Sequence, residues 1–169
     1  MKKIISVTLF SFLSILLVGC NGAPDTEGYV VKKEEGRILV VSSESEDFSS
    51  SGGLKEAYSA YWVSKVPEDV ELGQKVRVWF SGPTTDSYPG GAGAKKVSVI
   101  KSKKPDGANL SDTQALRKAL LNEKIDENEV IVVKRIKYDT KLDNWTIRLR
   151  ETLKTPGEPE EFDLQVKDK

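Results

Sequence analysis

At 169 residues, with 26 Lys plus Arg against 26 Asp plus Glu, the chain has room for one or two small domains and carries no net charge. It holds no histidine and a single cysteine, which excludes Ser-His-Asp and Cys-His catalysis and the zinc sites built on those residues. Without a basic excess there is no electrostatic footprint for nucleic acid, and without a second cysteine the fold must be held by packing alone.

Met1-Lys2-Lys3 places two positive charges ahead of an apolar block of 15 residues, Ile4 to Val18. Such a block reaches about 22 Å as a helix, short of the roughly 30 Å of a bilayer core. No cluster of Lys or Arg follows Cys20 to stop transfer. A charged start, an apolar stretch and a small residue before a break form the pattern of an export signal over residues 1–19. Leu17-Val18-Gly19-Cys20 resembles the lipobox of bacterial lipoproteins. The resemblance implies a diacylglyceryl group on the Cys20 thiol and cleavage before it. Two acyl chains anchor a protein stably where one is marginal. Residues 20–27 are then expected to be the lipidated cysteine and a flexible tether, since "NGAPDTE" carries Gly and Pro and no apolar pattern. The membrane is one expected partner, through Cys20, and the outer face of the cytoplasmic membrane is the expected location.

From Gly28 the texture becomes short alternating runs divided by turn residues. "GYVVKK" and "RILVVS" flank the turn "EEG" as a hairpin; "AYSAYWVS", "KVRVWFS" and "AKKVSVIK" supply three more strands. In the fourth, Val76, Val78 and Phe80 share one side and Arg77 and Trp79 the other. The polar stretch Ser43 to Gly53 and the glycine-rich stretch Gly82 to Gly93 read as long loops. Five strands without helical periodicity predict a small antiparallel β-barrel, OB-like, over residues 28–102.

"KKPDGAN" (103–109) reads as a linker. Beyond it Leu110, Ala115, Leu116, Ala119 and Leu120 recur at helical spacing, with Ser111 as N-cap. Strands follow over Glu129 to Asp139, Trp145 to Thr152 and Glu161 to Lys167, with a loop from Leu153 to Glu160. Trp145, Ile147 and Leu149 oppose Thr146, Arg148 and Arg150. Residues 110–169 thus form an α-β-β-β unit, a helix on a three-stranded antiparallel meander. It is marginal alone and could dock on the barrel. The whole chain is mainly β, or α+β.

Motif matches for chemistry fail on context. The glycines at Gly91 and Gly93 lead into a strand, whereas a phosphate cradle needs a helix N-terminus. Ser98 and Lys101 match S-x-x-K, yet residues three apart on a strand face opposite ways. Acidic clusters such as Glu68-Asp69-Glu71 and Glu158-Glu160-Glu161 fall in turns, where water solvates them. The aromatics Tyr58, Tyr61, Trp62, Trp79 and Tyr88 are expected chiefly to fill the barrel. Lys134, Arg148 and Arg150 could form a basic stripe, but Glu151 and Asp163 argue for cross-strand ion pairs. No catalytic set, metal site or cofactor is expected. The candidate binding surface is Trp79, Asp86, Tyr88 and Gly90, outward aromatics beside a glycine loop.

"RILVVS", "AYWVS" and "LGQKVRVWFSG" leading into "SYPGGAGAKKV" resemble the YobA-like domain of unknown function found in small lipoproteins of Gram-positive bacteria. The resemblance implies a compact β-barrel on an extracellular lipoprotein and brings no activity. The expected function is a non-catalytic binding or accessory module of the cell envelope, engaging an envelope protein or polymer. The alternatives are a hydrolase of envelope glycan using carboxylates only, and an inhibitor or immunity-type protein capping a secreted enzyme.

Overall fold

The computed structural model describes residues 22–152 and 161–169. The export signal, Leu17, Val18, Gly19, Cys20 and the loop expected over 153–160 lie outside the described residues. Strands β1 (Thr26–Glu34), β2 (Arg37–Ser42), β3 (Ala60–Ser64), β4 (Lys75–Phe80) and β5 (Gly90–Val99) close a barrel in the order β1-β2-β3-β5-β4. β4 pairs back onto β1. Five strands cannot alternate direction all the way round a closed ring. One pair must run parallel, and it is β3 with β5, Tyr61 opposite Gly90 through Ser64 opposite Gly93. The barrel is therefore not wholly antiparallel.

The interior is filled by Val30, Ile38, Val40, Val63, Val70, Val76 and Val78, with Phe80 partly buried among them. β4 thus keeps the alternation its sequence shows: Val76 and Val78 are fully buried while Arg77 is exposed. β2 is different, because Ile38, Leu39, Val40 and Val41 are all buried. Its inward residues fill the barrel, and its outward Leu39 and Val41 enter a second core. A continuous apolar run is what a strand covered on both faces requires.

Three strand starts in the barrel differ from the sequence expectation. β1 starts at Thr26, so Thr26 and Glu27 belong to the barrel rather than to a tether. Before β3, residues 57–59 are not in a strand, although Ala57 forms an isolated bridge with Glu46. Gly90 to Gly93 are the first four residues of β5 rather than loop. The Tyr61 ring explains the first of these glycines: a Cβ on Gly90 would sit 2.9 Å from it. The glycine serves close packing beside β3, not flexibility.

Helix α1 (Asp112–Leu120) opens with Ser111 as N-cap, in a capping box with Gln114. It lies over the sheet β6 (Ile131–Asp139), β7 (Asn144–Glu151) and β8 (Glu161–Lys167), an antiparallel meander. Ala115, Leu116 and Ala119 of the helix share one core with Trp145, Ile147 and Leu149 of β7. Barrel residues Val31, Leu39, Val41, Tyr58 and Ala60 enter the same core. The second unit therefore packs against the outer faces of β1, β2 and β3.

Two polar ties fix this arrangement. Asp168 is fully buried and accepts hydrogen bonds from the backbone N–H of Asn109, from that of Leu110 at 2.9 Å and from the Trp145 indole at 2.7 Å. The stretch read as a linker is thereby fastened to the chain's C-terminal end. On the other side, Arg117 of α1 donates to the Leu72 carbonyl at 3.0 Å and pairs with Glu71, in the turn before β4. Gly73 in that turn has φ +84° and lies against the helix backbone.

Candidate functional site

A cleft of about 460 Å³ opens at the barrel where the β2–β3 and β4–β5 connections face each other. Its walls carry Phe48, Tyr58, Tyr61 and Tyr88, the hydroxyls of Ser59, Thr85 and Ser87, and the carboxylates of Glu46 and Asp86. No Lys or Arg is among its lining residues. Tyr88 and Phe48 are 46% and 45% exposed, so two rings stand open to a ligand. Tyr61, by contrast, is held edge-on against Phe80, with centroids 5.1 Å apart.

The β4–β5 connection is pinned rather than slack. The Thr85 N–H donates to the Gly91 carbonyl at 3.0 Å, and the Thr85 hydroxyl accepts from the Gly91 N–H at 2.6 Å. Ser87 donates to the Pro89 carbonyl at 3.0 Å, and the Tyr88–Pro89 peptide is cis. The Tyr88 hydroxyl reaches Thr152 Oγ1 at 3.3 Å, beyond the end of β7. Partial burial pushes that hydroxyl above its ordinary pKa, which keeps it protonated.

Of the four residues singled out in the sequence, Asp86, Tyr88 and Gly90 line this cleft and Trp79 does not. Trp79 does point out of the barrel, beside Arg77. Its ring lies under the Lys96 ammonium, 4.6 Å from the centroid, and its N–H donates to the Gly22 carbonyl at 2.7 Å. Glu46, Phe48 and Ser59 were not legible as partners of Tyr88, because the β2–β3 connection has no periodicity that shows which way it folds. Tyr61 reads in the sequence only as filler.

Beside the cleft, Glu56 joins the barrel to the sheet. It accepts from Lys134 at 2.6 Å and from Arg150, while Tyr58 donates to it at 2.5 Å. Arg148 pairs bidentately with Asp163, as cross-strand spacing suggests, with both bonds at 2.9 Å. Arg150 pairs instead with Glu56 and, at 3.6 Å, with Glu161. Glu151 is the next residue along β7, so it faces the other side of the sheet. Hydrogen bonding from Lys134, with help from Tyr58 and Arg150, holds the Glu56 carboxyl at about 2, against an ordinary 4.5.

Glu56→Gln is expected to cost about 1–2 kcal/mol at neutral pH, a value kept small because the carboxylate is partly solvated. Since the folded pKa lies below the unfolded one, the wild-type advantage is complete above pH 4.5 and fades as pH falls towards 2. Urea unfolding of both proteins across that range measures it.

A second cleft, of about 470 Å³, lies between barrel and sheet and includes Lys75, Arg77, Lys101, Lys103, Lys134 and Arg135 in its lining. Several of these charges are already engaged: Lys75 and Arg77 pair with Glu27, and Lys134 with Glu56. Among the described residues no three His, Cys, Asp or Glu side chains converge as a metal cage would require.

The geometry defines a class: a small closed β-barrel whose connecting loops shape an aromatic, acidic cleft, backed by a helix-and-sheet unit. Residues 27–101, which span all but the first residue of the five barrel strands, match the family described as protein of unknown function (DUF3221). The chain thus contains a DUF3221 domain. No curated protein matches the chain, and no solved structure does.

Proposed function

We propose that this is a lipid-anchored, non-catalytic binding module of the cell envelope, tethered through Cys20 to the outer face of the cytoplasmic membrane. The observation that carries the binding role is the cleft between the β2–β3 and β4–β5 connections. It displays Phe48 and Tyr88 to solvent, Tyr88 from a loop that its own hydrogen bonds already hold. Open aromatic faces on a pre-ordered loop bind with little loss of conformational freedom. The lipid anchor rests on the charged start, the apolar stretch and the Leu17-Val18-Gly19-Cys20 motif. The partner is an envelope protein or polymer.

The test uses the full chain in a Gram-positive host. Cys20→Ser is expected to move the protein from the membrane to the soluble fraction, and fatty-acid label to vanish from it. Tyr88→Ala is expected to weaken capture of a stoichiometric envelope partner at least about tenfold, as for an aromatic anchor at an interface. Unchanged capture would remove the cleft from the proposal, and unchanged fractionation would remove the anchor.

One observation favours a second reading, a carboxylate-only hydrolase of envelope glycan: Glu46 and Asp86 line the same cleft. Release of soluble fragments from purified wall by the wild type, lost in both Glu46→Gln and Asp86→Asn, would establish it over the first.

A further inference from the structure

The strand β1 begins close to the proposed anchor, and the residues before it are fastened to the barrel. The Asp25 N–H donates to the Val78 carbonyl at 2.9 Å, and its carboxylate accepts from the Phe80 N–H at 2.7 Å. The Gly22 carbonyl accepts from the Trp79 indole at 2.7 Å. Only two peptide steps then separate Gly22 from Cys20, a reach of about 7 Å at full extension. A free leash of seven residues to Glu27 would have reached about 24 Å. The polar layer of one leaflet is roughly 5–7 Å thick. With the acyl chains of Cys20 in hydrocarbon, so short a reach holds the barrel at the headgroup layer.

The face beside Gly22 has the chemistry such a surface selects. Trp79 and Lys96 are opposite one another on β4 and β5, both outward, with the ammonium over the indole. Lys95, next along, is exposed as well. Indoles settle at headgroup level, and lysines extend their stems past apolar surface to put their charge among phosphates. Of the neighbouring acids, Glu27 is neutralised by Lys75 and Arg77, and Asp25 is turned to the Phe80 N–H.

We infer that the Trp79–Lys96 face of the barrel rests directly on the lipid headgroups and fixes how the molecule stands on the membrane. The inference builds on the lipidation of Cys20 and adds a second, non-covalent contact to it.

The test takes the lipidated full chain into vesicles of phosphatidylcholine with a minority of phosphatidylglycerol, and its intact mass is read first. A mass without the diacylglyceryl group overturns the anchor proposal itself. With the lipid present, brominated acyl chains are expected to quench a share of the tryptophan emission that Trp79→Phe removes. On the unsubstituted chain, Lys95 and Lys96 are expected to acetylate several-fold more slowly on vesicles than in the soluble Cys20→Ser protein. Lys124, in the connection that Lys32 touches further along β1, should react at the same rate in both. Equal quenching of wild type and Trp79→Phe, with Lys95 and Lys96 as reactive on vesicles as off them, overturns the headgroup contact and leaves the anchor standing.

Discussion

Trp145→Ala is expected to lower stability by about 3–5 kcal/mol, the range for emptying the site of a buried aromatic ring. The indole is 1% exposed, packs at 5.2 Å from the Tyr138 ring and sits in the core shared by helix, sheet and barrel. It also donates to Asp168, so the substitution removes packing and a polar tie together. Trp145→Phe separates the two, since it keeps most of the ring and deletes the donor. Its smaller loss should depend on pH. Burial by itself raises the Asp168 pKa, but the N–H groups of Asn109 and Leu110 and the indole outweigh it and hold the carboxyl below its ordinary value. A depressed folded pKa means that the stabilisation is present above the unfolded value and is lost as pH falls through the folded one. Denaturant unfolding of the three proteins at neutral and acid pH measures both parts; a Trp145→Ala protein as stable as the wild type would refute the shared core.

Gly73→Ala is the second large effect, about 2–3 kcal/mol. The left-handed φ of +84° already disfavours any L side chain by roughly 1–2 kcal/mol. A Cβ there would also stand 2.8 Å from the Thr113 carbonyl and 3.0 Å from the Arg117 nitrogen, both helix backbone, which cannot rotate away. Overpacking of this kind adds of order 1 kcal/mol or more. The substitution should loosen α1 from the barrel turn, so hydrogen exchange in Asp112–Leu120 is expected to rise more than exchange in β7. Uniform protection in the two elements would show that the helix does not lean on Gly73.

The parts of this fold that are legible in the sequence are those with a local period. Val76, Val78 and Phe80 against Arg77 and Trp79 show a barrel strand. Trp145, Ile147 and Leu149 show a one-sided sheet, and the Ser111 cap shows where the helix starts. Lost to such reading is whatever depends on partners distant in the chain. Gly90 to Gly93 look like loop until β3 pairs with them and the Tyr61 ring lies against Gly90. Glu56 looks like one more solvated acid until Lys134 and Arg150 arrive from the other unit. At the site, Asp86, Tyr88 and Gly90 are near neighbours in sequence and were read together. Phe48 and Glu46 come from a connection some forty residues earlier that carries no pattern. Trp79 shares with Tyr88 only its aromatic character; pairing with Gly22 and Lys96 gives it a different place.

The double coverage of β2 bears on where this molecule can be cut. OB-like barrels present the sheet around their second and third strands to ligands. Here Leu39, Val41 and Ala60 on that side are sealed beneath the helix-and-sheet unit. The segment bearing the family likeness, severed after residue 101, would bare an oily stripe to water and invite self-association. Likeness and packing have different borders in this protein: the family match stops at residue 101, while the core that covers β2 draws on residues as far as Val166 and is tied in by Asp168.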